Sequence, residues 1–195
     1  MDNNFMRWLK NNIGCILGFL VPFVILGGIF IGKDVFPFGE EMYLRSDCYH
    51  QYAPFYRELY NKLTTGESLD FSWNIGMGVN FMAVYAYYLA SPVNLLLGLL
   101  PEDCIILFMD FMIVLKTALC GLTLSYYLKK RFNTNSPAVG AVAVFYALSS
   151  YMAAFSWNIM WLDCMVLLPL IVLGIDKLVN ESKYKLYTIS LGIAI

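Results

Sequence analysis

Residues 13–32 read IGCILGFLVPFVILGGIFIG, an apolar run of twenty residues without a charged side chain. A helix of that length spans about 30 Å, the thickness of the hydrocarbon core of a bilayer. Arg7 and Lys10 precede the run, and Lys33 and Asp34 follow it where a signal peptide would have a cleavage site. The stretch therefore predicts an uncleaved transmembrane helix with the N-terminus in the cytoplasm.

The composition of the whole chain agrees with an integral membrane protein. Of the 195 residues, 59% are hydrophobic and 14% are charged, whereas soluble domains are about 45–50% apolar and about 25% charged. Thirteen basic and fourteen acidic residues give a net charge of −1, with no basic patch for nucleic acid. Five scattered cysteines and a single histidine exclude the standard zinc, haem-attachment and iron–sulfur patterns.

Further apolar stretches predict a polytopic bundle. Additional spans are expected at residues 104–128, 137–155 and 162–179, and another span starts at 186–195. Residues 81–100 are apolar too, but they contain three tyrosines, a Ser-Pro pair and an asparagine. If they crossed, the basic triplet at 129–131 would lie outside, so the positive-inside rule favours a re-entrant or interfacial helix.

The predicted fold is an all-α integral membrane protein, a polytopic helical bundle with about five transmembrane helices. Residues 1–32 are the inner tail and first transmembrane helix, and 33–103 are a large extracellular loop with interfacial helices. Residues 104–195 hold transmembrane helices two to five. Because the last is half the length of a span, we expect this chain to be the N-terminal part of a longer protein, and inactive alone.

This topology places eight basic residues inside and four outside, in the direction that the positive-inside rule requires. The inner ones are Arg7, Lys10, Lys129, Lys130, Arg131, Lys177, Lys183 and Lys185. The outer ones are Lys33, Arg45, Arg57 and Lys62.

The outer loop is longer than the about 12–15 residues beyond which connectors are usually functional. It carries a stripe at helical spacing made of Tyr49, Tyr52, Tyr56, Leu59 and Leu63. The stripe predicts a helix in the membrane plane with its tyrosines at headgroup depth. A second strip, expected to face one pocket above the bilayer, is made of Asp47, His50, Gln51 and Pro54. Residues 73–80, with their Gly-x-Gly, predict a tight turn and not a phosphate loop.

Several side chains of the loop have two interpretations. Asp47 is either a helix N-cap or a catalytic carboxylate, and His50 is either a hydrogen-bonded structural residue or a catalyst. Arg45 and Arg57 bind either phosphate or anionic lipid headgroups. The predicted outer side has nine acidic and four basic residues. This excess of oxygen ligands is compatible with a divalent-cation site, with Asp47 as a candidate ligand.

Three ionisable residues, Asp110, Lys116 and Asp163, lie in or near the predicted spans. A charge at the bilayer centre costs at least about 2.5–3.5 kcal/mol, so such groups usually face protein or water. Asp110 and Lys116 lie on different faces of one helix, and each is expected to meet another span. Asp110 and Asp163 are expected near the outer side, where they would join Asp47 around one cavity.

The segment RSDCYHQYAPF at residues 45–55 resembles the YfhO family of bacterial membrane proteins. The resemblance continues through FSWN at 71–74 with Gly76 and Gly78, and through YYLASP at 87–92 with Asn94. This family is similar to GT-C-type glycosyltransferases, which have many transmembrane helices and a first outer loop with a functional acidic residue.

The resemblance implies a bacterial cytoplasmic-membrane enzyme that transfers a sugar from a polyprenyl-phosphate carrier to a cell-envelope polymer such as teichoic acid. Asp47 matches the first-loop acid and would be the base or a metal ligand. Arg45 and Arg57 would bind the lipid phosphate, and His50 and Gln51 would bind sugar or acceptor hydroxyls. The alternatives are a transporter or flippase of a lipid-linked precursor, with Asp110 and Lys116 in its pathway, and a non-catalytic assembly subunit.

Overall fold

A computed structural model describes residues 3–194, and it consists almost entirely of helices. The α-helices are α1 Asn3–Gly32, α2 Ala53–Thr65, α3 Phe81–Val84, α4 Ile105–Arg131, α5 Ala138–Ala147, α6 Ser150–Phe155, α7 Ile159–Glu181 and α8 Lys185–Ala194. The π-helical turns are Cys48–Tyr52 and Tyr85–Leu89, and the 3-10 helices are Pro92–Leu99 and Glu102–Cys104. Two short strands, β1 Phe71–Ser72 and β2 Val79–Asn80, pair antiparallel.

The centre of the bundle is α4, which packs against α1, α5 and α7. Helices α1 and α4 run antiparallel, with Gly18 against Gly121 and Phe30 against Val114. A Cβ atom added to Gly121 would lie 2.0 Å from the Gly18 carbonyl oxygen. The two backbones approach this closely only because both residues are glycine, which is a common device between membrane helices.

Within residues 3–194, four helices are long and apolar enough to cross a membrane, which confirms the predicted all-α polytopic bundle. They are Asn4–Gly32, Glu102–Arg131, Ala138–Phe155 and Ile159–Glu181. The third is interrupted between α5 and α6, because Ser149 leaves the helical conformation with ψ at 163°. We call the end of the bundle where α1 stops and α4 starts the loop end, since residues 33–104 connect the two helices there.

The apolar segment Phe81–Leu99 forms two helical pieces that meet at an angle of 109°. Its start and its end both lie beside α2. Lys62 stands over the Phe81 ring, and Leu63 contacts Gly98. The bend between the two pieces, which we call the re-entrant vertex, reaches into the bundle. There the Ser91 hydroxyl lies 3.4 Å from the Lys116 ammonium. A segment that leaves α2 and returns to it has the geometry of a re-entrant loop.

The tyrosine stripe of α2 faces protein, and not the membrane surface as its pattern had suggested. Tyr52, Tyr56 and Leu59 are fully buried in the main core, and of the predicted tyrosines only Tyr49 is exposed. The Tyr56 hydroxyl donates to the Asn94 side chain at 3.0 Å, and the Tyr52 hydroxyl donates to Asn158 at 3.2 Å. The stripe therefore fastens the loop to the re-entrant segment and to the chain before α7.

The predicted tight turn at 73–80 is confirmed, because it connects β1 to β2. Gly76 and Gly78 have φ angles of 52° and 105°, and Met77 between them has 48°. Glycine adopts such positive angles without strain, which explains the Gly-x-Gly spacing without a bound phosphate.

Candidate functional site

Asp47 lies at the loop end, directly before the π-helical turn Cys48–Tyr52. It occupies the N-cap position, but its side chain makes no capping hydrogen bond. It forms no ion pair within the described part of the chain. The capping interpretation of Asp47 therefore has no support in the structure.

The other acidic residues of the loop are either engaged or fully exposed. Glu58 accepts hydrogen bonds from Ser72 and Asn74, and Glu102 pairs with Arg57. The Asp70 carboxylate accepts a hydrogen bond from Ser68, and the remaining acids of the loop are exposed. Among the loop acids, Asp47 alone is half-buried and without a partner in the part of the chain that the structure describes.

The predicted strip of Asp47, His50, Gln51 and Pro54 does not face one pocket. His50 and Pro54 line a groove of about 640 Å³, whereas the Gln51 side chain points elsewhere and accepts a hydrogen bond from Tyr88 at 3.1 Å. The reason is the π-helical turn, whose hydrogen bonds run from residue i to i+5 and widen the helix. A π-helical turn holds more residues than an α-helical turn, so residues four apart, such as His50 and Pro54, still share a face, whereas residues three apart, such as Asp47 and His50, diverge.

The groove with His50 is bordered by the start of α4. Arg57 from α2 and Asp103 from the 3-10 helix line it, and Arg57 pairs with Glu102 across it. Arg57 and Glu102 have side chains 66% and 44% exposed, so the pair contributes only about 0–1 kcal/mol and can open for a ligand. Arg45 is exposed, stands over the Tyr43 ring at 5.9 Å, and does not border this groove.

A second cavity, of about 170 Å³, lies at the re-entrant vertex. It is lined by Tyr87, Tyr88 and Ser91 on one side and by Asp163 of α7 on the other. Asp47 is close enough to interact electrostatically with the Tyr88 hydroxyl. Tyr88 thus connects this cavity to Gln51, with Asp47 within electrostatic range of its hydroxyl.

Lys116 is buried and holds three elements together. Its ammonium donates to the Asp163 carboxylate at 2.8 Å, to the Ile159 carbonyl at 3.3 Å and to the Ser91 hydroxyl at 3.4 Å. An ammonium has three N–H groups, so these acceptors use all of its donors. As expected from the sequence, Lys116 meets another span and not Asp110.

Asp110 lies apart from both cavities, so the expected cavity shared by Asp47, Asp110 and Asp163 does not form. Its side chain is 2% exposed, and neither carboxylate oxygen has a hydrogen-bond partner among the described residues. It borders a pocket of about 200 Å³ between α1, α4 and residues 36–38. The separation arises because Asp110 and Lys116 lie on different faces of α4.

A buried polar cluster on α2 was not predicted as a unit. Glu58 and Lys62 are 4% exposed each, with their charged atoms 3.6 Å apart. Lys62 donates to the Ser68 and Phe71 carbonyls at 2.8 Å, and Glu58 accepts from Ser72 at 2.6 Å and Asn74 at 2.9 Å. The i, i+4 spacing of the two charges beside buried Leu59 was the available signal.

Burial alone would raise the pKa of Glu58. The hydrogen bonds from Ser72 and Asn74, together with the Lys62 ammonium, outweigh this and hold the pKa below its usual value. Glu58 is therefore ionised at neutral pH and fixes the β1–β2 hairpin on α2.

The cysteines and acidic residues do not form a covalent or metal-binding cluster. All five cysteines are free. Within residues 4–194, no group of three His, Cys, Asp or Glu side chains is arranged to hold a metal ion.

Comparison with known proteins identifies a family. A family model described as "Bacterial membrane protein YfhO" matches residues 18–195. No curated protein and no solved structure matches the chain. The match begins within α1 and includes the loop, the re-entrant segment and α4 to α8. The chain is therefore a multi-pass membrane protein that belongs to the bacterial membrane protein YfhO family.

Proposed function

We propose that the full protein is a membrane-embedded glycosyltransferase whose catalytic base is Asp47. One observation carries the proposal: Asp47 is the half-buried acid of the loop that no group among the described residues neutralises or hydrogen-bonds. A general base needs a carboxylate with a free lone pair directed at the proton that it removes. The engaged Glu58 and Glu102 do not meet this requirement.

The transfer would move a sugar from a polyprenyl-phosphate carrier to a cell-envelope polymer such as teichoic acid, on the outer face of the bacterial cytoplasmic membrane. Asp47 takes the proton of the acceptor hydroxyl, and the hydroxyl oxygen forms the new bond to the anomeric carbon. The bond between that carbon and the phosphate oxygen breaks, and the lipid phosphate leaves with the electron pair. The configuration at the anomeric carbon is inverted.

The leaving phosphate needs positive charge nearby. Arg45 is two residues from Asp47 and exposed, and it forms no ion pair within the described residues. Arg57 becomes available only when its pair with Glu102 opens. We therefore assign the phosphate contact first to Arg45, and we assign His50 and Gln51 to sugar or acceptor hydroxyls.

The alternative function, transport of a lipid-linked precursor, would need movable charges in the bundle. All three N–H donors of the Lys116 ammonium are instead bonded to fixed acceptors. This arrangement is typical of a structural contact and not of a charge that moves in a transport pathway. The ion pair with Asp163 and the adjoining cavity are the features that a transport mechanism would use.

The test compares the sugar content of wall and lipoteichoic polymers in cells that make the full protein. We expect Asp47→Asn to abolish glycosylation at unchanged protein abundance. Glu40→Gln, at an exposed acid of the same loop, is the matched control and should retain glycosylation. Normal glycosylation with Asp47→Asn would remove Asp47 from the chemistry, and loss only with Lys116→Met would favour transport.

A further inference from the structure

The carboxyl group of Asp110 is the least solvated acid in the described part of the chain. Its residue is 2% exposed, and both oxygens are fully buried without a hydrogen-bond partner. The next most buried acid, Glu58, has two hydrogen bonds and a lysine, and Asp163 has Lys116. Among the described residues, no hydrogen bond or ion pair therefore stabilises the Asp110 carboxyl group, unlike those of Glu58 and Asp163.

The pocket that Asp110 borders is apolar. Its pocket of about 200 Å³ is formed by Phe23, Gly27 and Phe30 of α1 and by Phe36, Pro37 and Phe38 of the following loop, with α4 itself beneath. None of these side chains can ionise or donate a hydrogen bond. The pocket therefore offers no group that would stabilise a negative charge.

One titratable group approaches Asp110 from another element. The Cys48 thiol, on the π-helical turn, is close enough to interact electrostatically with it. Burial raises the pKa of this thiol, so it remains neutral at pH 7. Lys116 is the nearest cation along α4, but it lies on a different face of that helix and forms an ion pair with Asp163.

An isolated ionised carboxylate in an apolar environment is so unfavourable that such a group takes up a proton instead. We propose that Asp110 is a proton-binding site, held as an uncharged carboxylic acid at neutral pH. The inference concerns a different residue and a different pocket from the proposed glycosyl transfer, and it does not depend on that function.

Infrared spectroscopy of the full protein in lipid nanodiscs tests the protonation. At pH 7 exposed aspartates, with an ordinary pKa of about 3.9, are ionised and lack the carboxylic acid C=O stretch. We expect the wild-type spectrum minus that of Asp110→Asn to contain one such band. The matched difference for Asp103→Asn, at an exposed acid, should contain none. Absence of the band in the Asp110→Asn difference overturns the proton site, whether or not the protein is active.

Discussion

The buried cluster around Glu58 gives a quantitative prediction for the docking of the β1–β2 hairpin. Replacing Glu58 with Ala removes the acceptor for Ser72 and Asn74 and the partner of Lys62. Removing one partner of a buried ion pair costs about 3–5 kcal/mol. Lys62 keeps two carbonyl acceptors at 2.8 Å, so we expect the lower end of that range.

A loss of about 3 kcal/mol corresponds to a rise of about 100-fold in the equilibrium constant for undocking of the hairpin. Hydrogen exchange of the full protein in detergent micelles, read by mass spectrometry on peptides from residues 66–80, measures this constant when closing is faster than exchange. We expect the amides of β1 and β2 to exchange about 100-fold faster in Glu58→Ala, consistent with such a loss.

The matched control is Glu67→Ala, because Glu67 approaches the same Lys62 ammonium, at 4.0 Å, but is 64% exposed. An exposed pair of this kind contributes about 0–1 kcal/mol, so the hairpin should exchange almost as in the wild type. Equal exchange rates in Glu58→Ala and Glu67→Ala would refute the argument that burial gives the Glu58 cluster its strength.

Three further predictions concern helix contacts and pH. Gly121→Ala should lower the melting temperature in detergent, because the new Cβ atom would lie 2.0 Å from a carbonyl oxygen of α1. Gly27→Ala is the control and should leave the melting temperature unchanged, because its new Cβ atom would have no atom within 4 Å. Equal melting temperatures of the two variants would contradict this argument. Lys116→Met and Asp163→Leu should each lower the free energy of unfolding. The double variant should lose less than the sum of the two single losses, with a coupling of about 0.5–3 kcal/mol in a double-mutant cycle. Additive losses would mean that the two side chains do not stabilise each other. Because the pKa of Glu58 is lowered in the folded protein, its contribution is full above the ordinary pKa of about 4.3 and is lost as the pH falls through the lower folded value. The opening constant of residues 66–80, obtained by dividing the exchange rate by the intrinsic rate of the unprotected amides at each pH, should therefore rise only in acid, and Glu58→Gln should remove this dependence.

The membrane helices could be predicted because their signal is local. Twenty apolar residues in a row specify a span whatever packs against it, and the predicted boundaries of the full spans fall within the observed helices or close to their ends. The break at Ser149 was missed because a serine within an apolar stretch is compatible with a continuous helix.

The periodicity of a helix does not show whether lipid or protein covers its apolar face. The spacing of Tyr52, Tyr56 and Leu59 correctly indicated an apolar face, but lipid and protein select the same residues. Their protein partners, Asn94 and Asn158, come from distant parts of the chain. The candidate strip failed for a different reason, since a single π-helical turn separates Gln51 from His50 and leaves no mark in composition.

The contact between the re-entrant vertex and Lys116 has a consequence for biosynthesis. Residues 81–99 are translated before α4 supplies Lys116 and before α7 supplies Asp163. The vertex therefore has no polar anchor when it first emerges, and the loop of residues 33–104 can dock only after α7 has entered the membrane. Because chains fold progressively from the N-terminus during synthesis, ribosome-bound intermediates that stop before α7 should hold this loop in an accessible, undocked state.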